Sequence, residues 1–275
     1  MKKIDIHCHT TNRPVSDVVP KSADIEALLQ EMDLHEVGKT VLLATYFPHK
    51  ASGISNFRLL HWIKSCSQPD RFLMFGSLDF EHYFYQGINE LTELAENKII
   101  RGIKIYTSYQ QIDPFSDKMH QVAKLAAQYR LPLMFHGGES YTSLMKYGKY
   151  AVANLVMPAE LEHLSKDYGL DLIISHLCTP FVKELIEVVK RNDHIYSDVS
   201  GVFDSYSSRS AIPESIEEVK LFLGECGPEK LLFGTDFPVM THEDAIMLLE
   251  EGMKNYSSED KQRVYYDNAR RLLKC

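Results

Sequence analysis

Short apolar runs alternate eight times with segments of helical periodicity along this chain of 275 residues. The runs lie at 4–9, 40–45, 72–78, 100–106, 131–136, 170–176, 194–199 and 231–236. Near-continuous apolar runs of this length are typical of strands buried on both faces of a parallel sheet. Because no linker or break in composition interrupts the eight units, the pattern predicts an α/β fold in which residues 1–275 form a single (β/α)8 TIM-barrel domain.

The charge of the chain narrows the class of partner. The formal net charge is −8, and the charged residues are scattered rather than grouped in basic runs. This distribution argues against nucleic acid and against an anionic membrane surface, and it favours a small-molecule substrate. Exposed barrel loops often pack against a second copy of the same chain, so a homodimer is also compatible with the sequence.

The cysteines and the amino-terminal residues indicate the cellular compartment of the protein. The five cysteines are far apart and form neither a CxxC motif nor a paired framework, which is typical of a reducing environment. The first strand begins without a preceding signal-peptide-like run, and no later segment approaches the length of a membrane span. We therefore expect a soluble protein in the cytoplasm.

Two histidines, His7 and His9, close the first apolar run. Side chains of an extended strand alternate between faces, so these two imidazoles project the same way and can aim at one point. Neutral imidazole nitrogens placed like this suit a divalent cation, whereas Cys8 between them should point away from it. Two ligands do not hold a catalytic metal, so further ligands are expected at the ends of other strands.

Three more residues with metal-binding side chains close later runs. His136 ends the fifth run, His176 the sixth and Asp236 the eighth. In a (β/α)8 barrel the carboxyl ends of the strands surround one face, so residues remote in sequence meet there. Imidazoles with one carboxylate suit zinc best, although manganese, iron and nickel accept the same ligands.

These motifs, in this order, resemble the amidohydrolase superfamily. The similarity is to the branch of metal-dependent hydrolases and decarboxylases that includes aminocarboxymuconate semialdehyde decarboxylase and several lactonases. The matching segments are 4–9, 102–106, 134–138, 174–176, 233–238 and 267–273. The resemblance implies a cation held by His7, His9, His136 and Asp236. It also implies that His176 is a further ligand or the group that polarises the substrate.

The chemistry that this ligand set predicts is hydrolysis. Asp236 can take a proton from the attacking water and deliver it to the leaving group, while His176 or the metal stabilises the developing oxyanion. The expected substrate is an amide, lactone or ester of a small carboxylated molecule. The alternatives are a nonoxidative decarboxylase on the same scaffold and a noncatalytic binding barrel.

Further residues are expected beside the metal. Lys104, at the end of the fourth run, either bridges a second metal as a carbamate, as in dihydroorotase, or meets an acidic substrate as an ammonium. The ion count is accordingly one or two. Four loop residues are candidates for substrate contact, and two aspartates are candidates for supporting a ligating histidine. The loop residues are Tyr106, Tyr109, Gln110 and Glu139, and the aspartates are Asp5 and Asp198.

Overall fold

A computed structural model of the protein describes residues 2–11, 23–46, 53–139 and 155–275. The strands of the described chain form one eight-stranded sheet in the sequential order β1 to β8. The strands are β1 Lys3–Cys8, β2 Val37–Leu43, β3 Phe72–Gly76, β4 Ile100–Ile105, β5 Leu133–Phe135, β6 Leu172–Ile174, β7 Ile195–Asp198 and β8 Leu231–Leu232. Pairing is parallel between β1 and β2, along β3 to β6, and between β7 and β8.

At least one helix follows each strand. The helices of the described residues are α1 Ile25–Leu34, α2 Asn56–Ser65, α3 Phe84–Glu96, α4 Asp117–Tyr129, α5 Pro158–Tyr168, α6 Val182–Arg191, α7 Ile212–Cys226, α8 His242–Gly252, α9 Ser258–Gln262 and α10 Asn268–Leu273. Sequential parallel strands with intervening helices are the (β/α)8 TIM-barrel fold, which confirms the predicted fold class. None of the helices in the described ranges combines the length and hydropathy needed to cross a lipid bilayer.

The elements follow from the periodicities of the sequence. All three residues of β5 are buried, as expected for a strand covered on both faces. Helix α6 instead buries a stripe that includes Val182, Leu185 and Val189, which recur on one face at helical spacing. Helix α1 begins at an aspartate cap, Asp24, whose carboxylate accepts a hydrogen bond of 2.9 Å from the amide of Ala27.

The chain divides into two compact units. The first comprises Met1–Leu43, Phe57–Leu73 and Ser197–Cys275, and the second comprises Ala44–Asn56 and Met74–Tyr196. In the first unit the chain after β8 runs beside β1. The amide of Ile6 donates to the carbonyl of Phe233 at 3.0 Å, and that of His9 donates to the carbonyl of Phe237 at 2.8 Å. Residues 233–237 therefore lie along the end of β1.

Two of the predicted site residues lie two or more positions beyond the strands that the sequence assigned to them. Strand β8 ends at Leu232 and β6 ends at Ile174. Asp236 follows β8 with a left-handed backbone at φ 59°, and His176 opens a single 3-10 turn at φ 63°. The two side chains are thus aimed by left-handed backbone rather than by the alternation of a strand.

Candidate metal centre

Three of the predicted ligands come together in the first unit. The Nε2 atoms of His7 and His9 lie 3.4 Å and 3.1 Å, respectively, from Oδ1 of Asp236. One ligand atom from each residue lies within 4.8 Å of the other two. Two imidazole nitrogens and a carboxylate oxygen at this spacing fit a divalent cation. The His7 side chain is buried, but those of His9 and Asp236 are 23% and 17% exposed, so solvent reaches the cluster.

Main-chain pairing places these three side chains. His7 belongs to β1 and His9 follows it directly, which puts their rings on one face with centroids 5.5 Å apart. The amide of Asp236 donates to the carbonyl of His7 at 2.7 Å. This bond holds the carboxylate beside both rings, although the left-handed backbone costs a non-glycine residue about 1–2 kcal/mol.

Two residues near the end of β7 orient the ring of His7. Its Nδ1 lies 3.2 Å from Oδ2 of Asp198 and 2.9 Å from Oγ of Ser200. Because a carboxylate can only accept, Nδ1 carries the proton, which leaves the lone pair of Nε2 directed at the cluster. Asp198 is thus in contact with one of the predicted ligands, and its support of a metal-binding histidine stays a prediction. The sequence reasoning missed Ser200, which lies two residues further along on the same side.

We expect Asp198→Ala to weaken zinc binding by about 10- to 100-fold, because the His7 ring loses its orienting acceptor. Asp198→Asn should fall between this variant and the wild type, since its amide oxygen still accepts from Nδ1. The measurement is zinc competition with a chromophoric chelator. Equal zinc affinities for Asp198→Ala and the wild type would remove Asp198 from the support of the site.

Gly201 gives the Asp236 side chain its space. Its backbone is left-handed at φ 55°, and a Cβ added there would lie 2.7 Å from Oδ2 of Asp236. We expect Gly201→Ala to lower the free energy of unfolding by about 1–3 kcal/mol and to displace the carboxylate. Gly224→Ala is the matched control, because a Cβ there meets nothing within 4 Å and the residue is helical. Urea denaturation and zinc titration of both variants provide the comparison.

Two other predicted ligands pair in the second unit. Nδ1 of His136 lies 3.1 Å from Nε2 of His176, and the ring centroids are 4.7 Å apart. Gly138 permits this approach, since its φ is 73° and a Cβ there would lie 2.0 Å from the carbonyl oxygen of Thr179. The chain after β5 is thereby pressed against the turn that carries His176.

Lys104 is fully buried on β4. This strand is the neighbour of β5, which His136 follows. Its Nζ donates to Oγ of Ser175 at 2.9 Å and lies 5.5 Å from the centroid of the Tyr106 ring. The hydroxyl oxygen is an acceptor for the lysine nitrogen, and the face of an aromatic ring attracts a cation. Ser175 directly precedes His176, so the Lys104 side chain is bonded to the residue next to that histidine.

The remaining residues predicted to contact substrate differ in their burial and in their contacts. Tyr106 is buried, and its hydroxyl donates to the carbonyl of Ala44 at 2.8 Å. The Tyr109 ring packs edge-on against His136 with centroids 5.0 Å apart, so it borders the histidine pair. Glu139 is half-buried and donates its amide to the carbonyl of Thr179 at 3.2 Å. Residues 47–52, between β2 and α2, and 140–154, between β5 and α5, lie outside the described residues.

Asp5 forms a buried hub in the first unit. Its Oδ1 accepts from the amides of His7 at 3.0 Å and Thr235 at 3.2 Å. The thiol of Cys8 donates to Oδ2 at 3.0 Å, so the same carboxylate holds a third group. Burial, and after it the charge of Asp5, raises the pKa of the Cys8 thiol well above its ordinary value. Asp5 therefore supports the main chain of His7 and not its ring, where support was expected.

Comparison with known proteins decides the family. The sequence profile of the family described as "Amidohydrolase" matches residues 4–275. The chain belongs to the amidohydrolase family. This agrees with the resemblance carried by the strand-end motifs. No functionally curated protein sequence matches this amidohydrolase.

Solved structures share the fold of this amidohydrolase over its full length. A probable 2-pyrone-4,6-dicarboxylic acid hydrolase from Acinetobacter baumannii, with citric acid bound, is 18% identical with a TM-score of 0.69, covering 100% of both chains. A dihydroxybenzoic acid decarboxylase from Polaromonas with bound manganese and 2-nitroresorcinol is 16% identical with a TM-score of 0.71, covering 99% of this chain and 97% of the other. An amidohydrolase from Burkholderia multivorans with bound zinc is 14% identical with a TM-score of 0.68, covering 100% and 99%.

Proposed function

We propose that this amidohydrolase-family protein is a metal-dependent hydrolase that activates water to cleave an amide, lactone or ester bond in a small carboxylated molecule. The observation that carries the proposal is the convergence of His7 Nε2 and His9 Nε2 on one oxygen of Asp236. A carboxylate beside two metal-binding imidazoles can both bind the ion and move a proton.

The proposed ligand set is the one that the resemblance to the superfamily implies. His136 directly follows β5, and the carboxyl ends of the strands surround one face in a (β/α)8 barrel, so we infer that His136 completes the set of His7, His9 and Asp236. His176 acts as a further ligand or polarises the substrate. Zinc is the ion that this donor set suits best. When bound, it supplies Lewis acidity and lowers the pKa of a water to about 7.

The chain's own residues handle the protons. Asp236 accepts a proton from the attacking water and donates it to the leaving amine or alcohol, which balances the hydrolysis. The Asp236 side chain is 17% exposed, so the attacking water and the leaving group can both approach it. In the polarising role, His176 donates a hydrogen bond to the carbonyl oxygen as negative charge develops there, and its contact with His136 fixes the orientation of its ring.

Lys104 supports the choice of a carboxylated substrate. We propose that it stays an ammonium and attracts a substrate carboxylate, in keeping with its contacts to Ser175 Oγ and the Tyr106 ring. Intact-mass measurement of the native protein tests this state. An added mass of one carbon dioxide, mapped to Lys104 and accompanied by a second metal at the site, would establish the carbamate bridge instead.

Two substrate panels test the reaction class. Purified zinc-loaded protein is incubated with lactones and amides of small dicarboxylic acids, and separately with aromatic carboxylic acids. We expect cleavage of ester or amide bonds, followed as acid release and product mass. Release of carbon dioxide without such cleavage would replace hydrolysis by decarboxylation, a reaction named for one neighbour of the same fold. Binding of panel members without turnover would leave a noncatalytic barrel.

A further inference from the structure

A second group of metal-binding side chains lies in the first unit. Asp5, Cys8 and His242 each offer one ligand atom, and these atoms lie within 4.8 Å of one another. All three side chains are fully buried. None of them belongs to the proposed catalytic ligand set. We propose that Asp5, Cys8 and His242 bind a structural divalent cation, with zinc as the ion of best fit.

The donor atoms converge on one carboxylate oxygen. Oδ2 of Asp5 lies 3.0 Å from Sγ of Cys8, 3.2 Å from Nε2 of His242 and 2.7 Å from Oγ1 of Thr235. Tetrahedral ligands at ordinary zinc bond lengths lie about 3.3–3.6 Å apart. An outward movement of a few tenths of an ångström therefore admits the ion, and the Thr235 hydroxyl is placed to fill a fourth position.

Hydrogen bonding alone does not explain why the ring of His242 is buried. Neither Nδ1 nor Nε2 of this fully buried ring has a hydrogen-bond partner among the described residues. Nε2 approaches Asp5 Oδ2 at 3.2 Å without the direction of a hydrogen bond. Two ligands of one ion approach each other in this way. The ring is held in place by stacking on His35, with centroids 5.8 Å apart and planes at 11°.

Charge and softness select the ion. Binding deprotonates the Cys8 thiol, whose proton leaves to solvent, so the thiolate and the Asp5 carboxylate balance two positive charges inside a fully buried site. A thiolate, an imidazole and a carboxylate together suit zinc rather than magnesium or calcium. Because the site is closed to solvent, we infer that the ion enters as the chain folds and has a structural role.

The position of the site explains what such an ion would do. Asp5 Oδ1 accepts the amides of His7 and Thr235, which belong to the two segments that carry the catalytic cluster. An ion on Oδ2 would fix the carboxylate and, through it, the register of these segments. The inference concerns folding of the first unit and does not depend on the reaction that the protein catalyses.

X-ray absorption at the zinc edge tests the site in the unmodified protein, expressed in zinc-supplemented medium. The proposed catalytic ligands contain no sulfur, so a sulfur scatterer at about 2.3 Å from zinc reports cysteine ligation. We expect this shell together with more than one zinc per chain. Its absence from zinc-replete wild-type protein overturns the proposal and leaves a hydrogen-bonded cluster.

Variants assign the sulfur and separate the two sites. Cys8→Ser should abolish the sulfur shell and lower the zinc content by one per chain, whereas Cys178→Ser, at another buried cysteine, should change neither. A sulfur shell that survives Cys8→Ser contradicts the assignment. The double variant His7→Ala/His9→Ala should lose catalytic zinc but keep the sulfur shell, so failure of the proposed function is distinguishable. If Cys8→Ser does not fold, the wild-type spectrum decides.

Discussion

Asp236→Asn is expected to lower kcat by about 10³-fold, the effect of losing a general acid and base. The amide can neither accept the proton of the attacking water nor return it to the leaving group. It also binds a divalent cation more weakly than a carboxylate. The side chain is partly exposed and its position is held by main-chain bonds, so the thermal unfolding midpoint should change little. Turnover of the best panel substrate and thermal unfolding provide the two measurements.

The matched control for this substitution is Asp70→Asn, at an exposed aspartate in the 3-10 turn that precedes the amino end of β3. It removes the same charge and should leave kcat unchanged. Full activity in Asp236→Asn would take Asp236 out of the proton transfer. An equal loss in both variants would indicate a general effect of charge.

Asp5→Ala is expected to lower the free energy of unfolding by about 3–5 kcal/mol, because it removes the common acceptor of a buried network. The Asp5 carboxylate accepts four hydrogen bonds, two from amides and two from the side chains of Cys8 and Thr235. All of these donors would be left buried, and each orphaned group costs about 1–3 kcal/mol before relaxation. Urea denaturation followed by circular dichroism measures the loss.

Two further variants are compared with Asp5→Ala. Asp24→Ala removes the cap of α1 and should cost about 1 kcal/mol, since the lost amide partner is near solvent. Asp5→Asn keeps one oxygen for the amides of His7 and Thr235 and should fall between the two alanine variants. If Asp5→Ala costs no more than Asp24→Ala, the buried network contributes little to the stability of the first unit.

The fold was predictable because its signal is repeated. Each of the eight apolar runs overlaps an observed strand, and helices intervene where the apolar spacing changes. Strand ends were less accurate at Asp236 and His176, which lie beyond β8 and β6 in left-handed backbone. Hydrophobic alternation carries no signal for a positive φ at a non-glycine residue, so the sequence extended both strands too far.

The site was predictable where residue chemistry and strand parity coincide. His7 and His9 follow from parity, and their meeting with Asp236 follows from strand order. The roles of Ser200 and His242 did not follow. Ser200 resembles any buried serine until its contact with His7 is known, and His242 lies in the first turn of α8, where only tertiary packing brings it to Asp5.

Anomalous diffraction at the zinc edge, from crystals of zinc-saturated protein, tests the central claim most directly. The account predicts a peak about 2.0–2.2 Å from His7 Nε2, His9 Nε2 and a carboxylate oxygen of Asp236. The absence of a peak among these three residues, in crystals with zinc in excess, would contradict it.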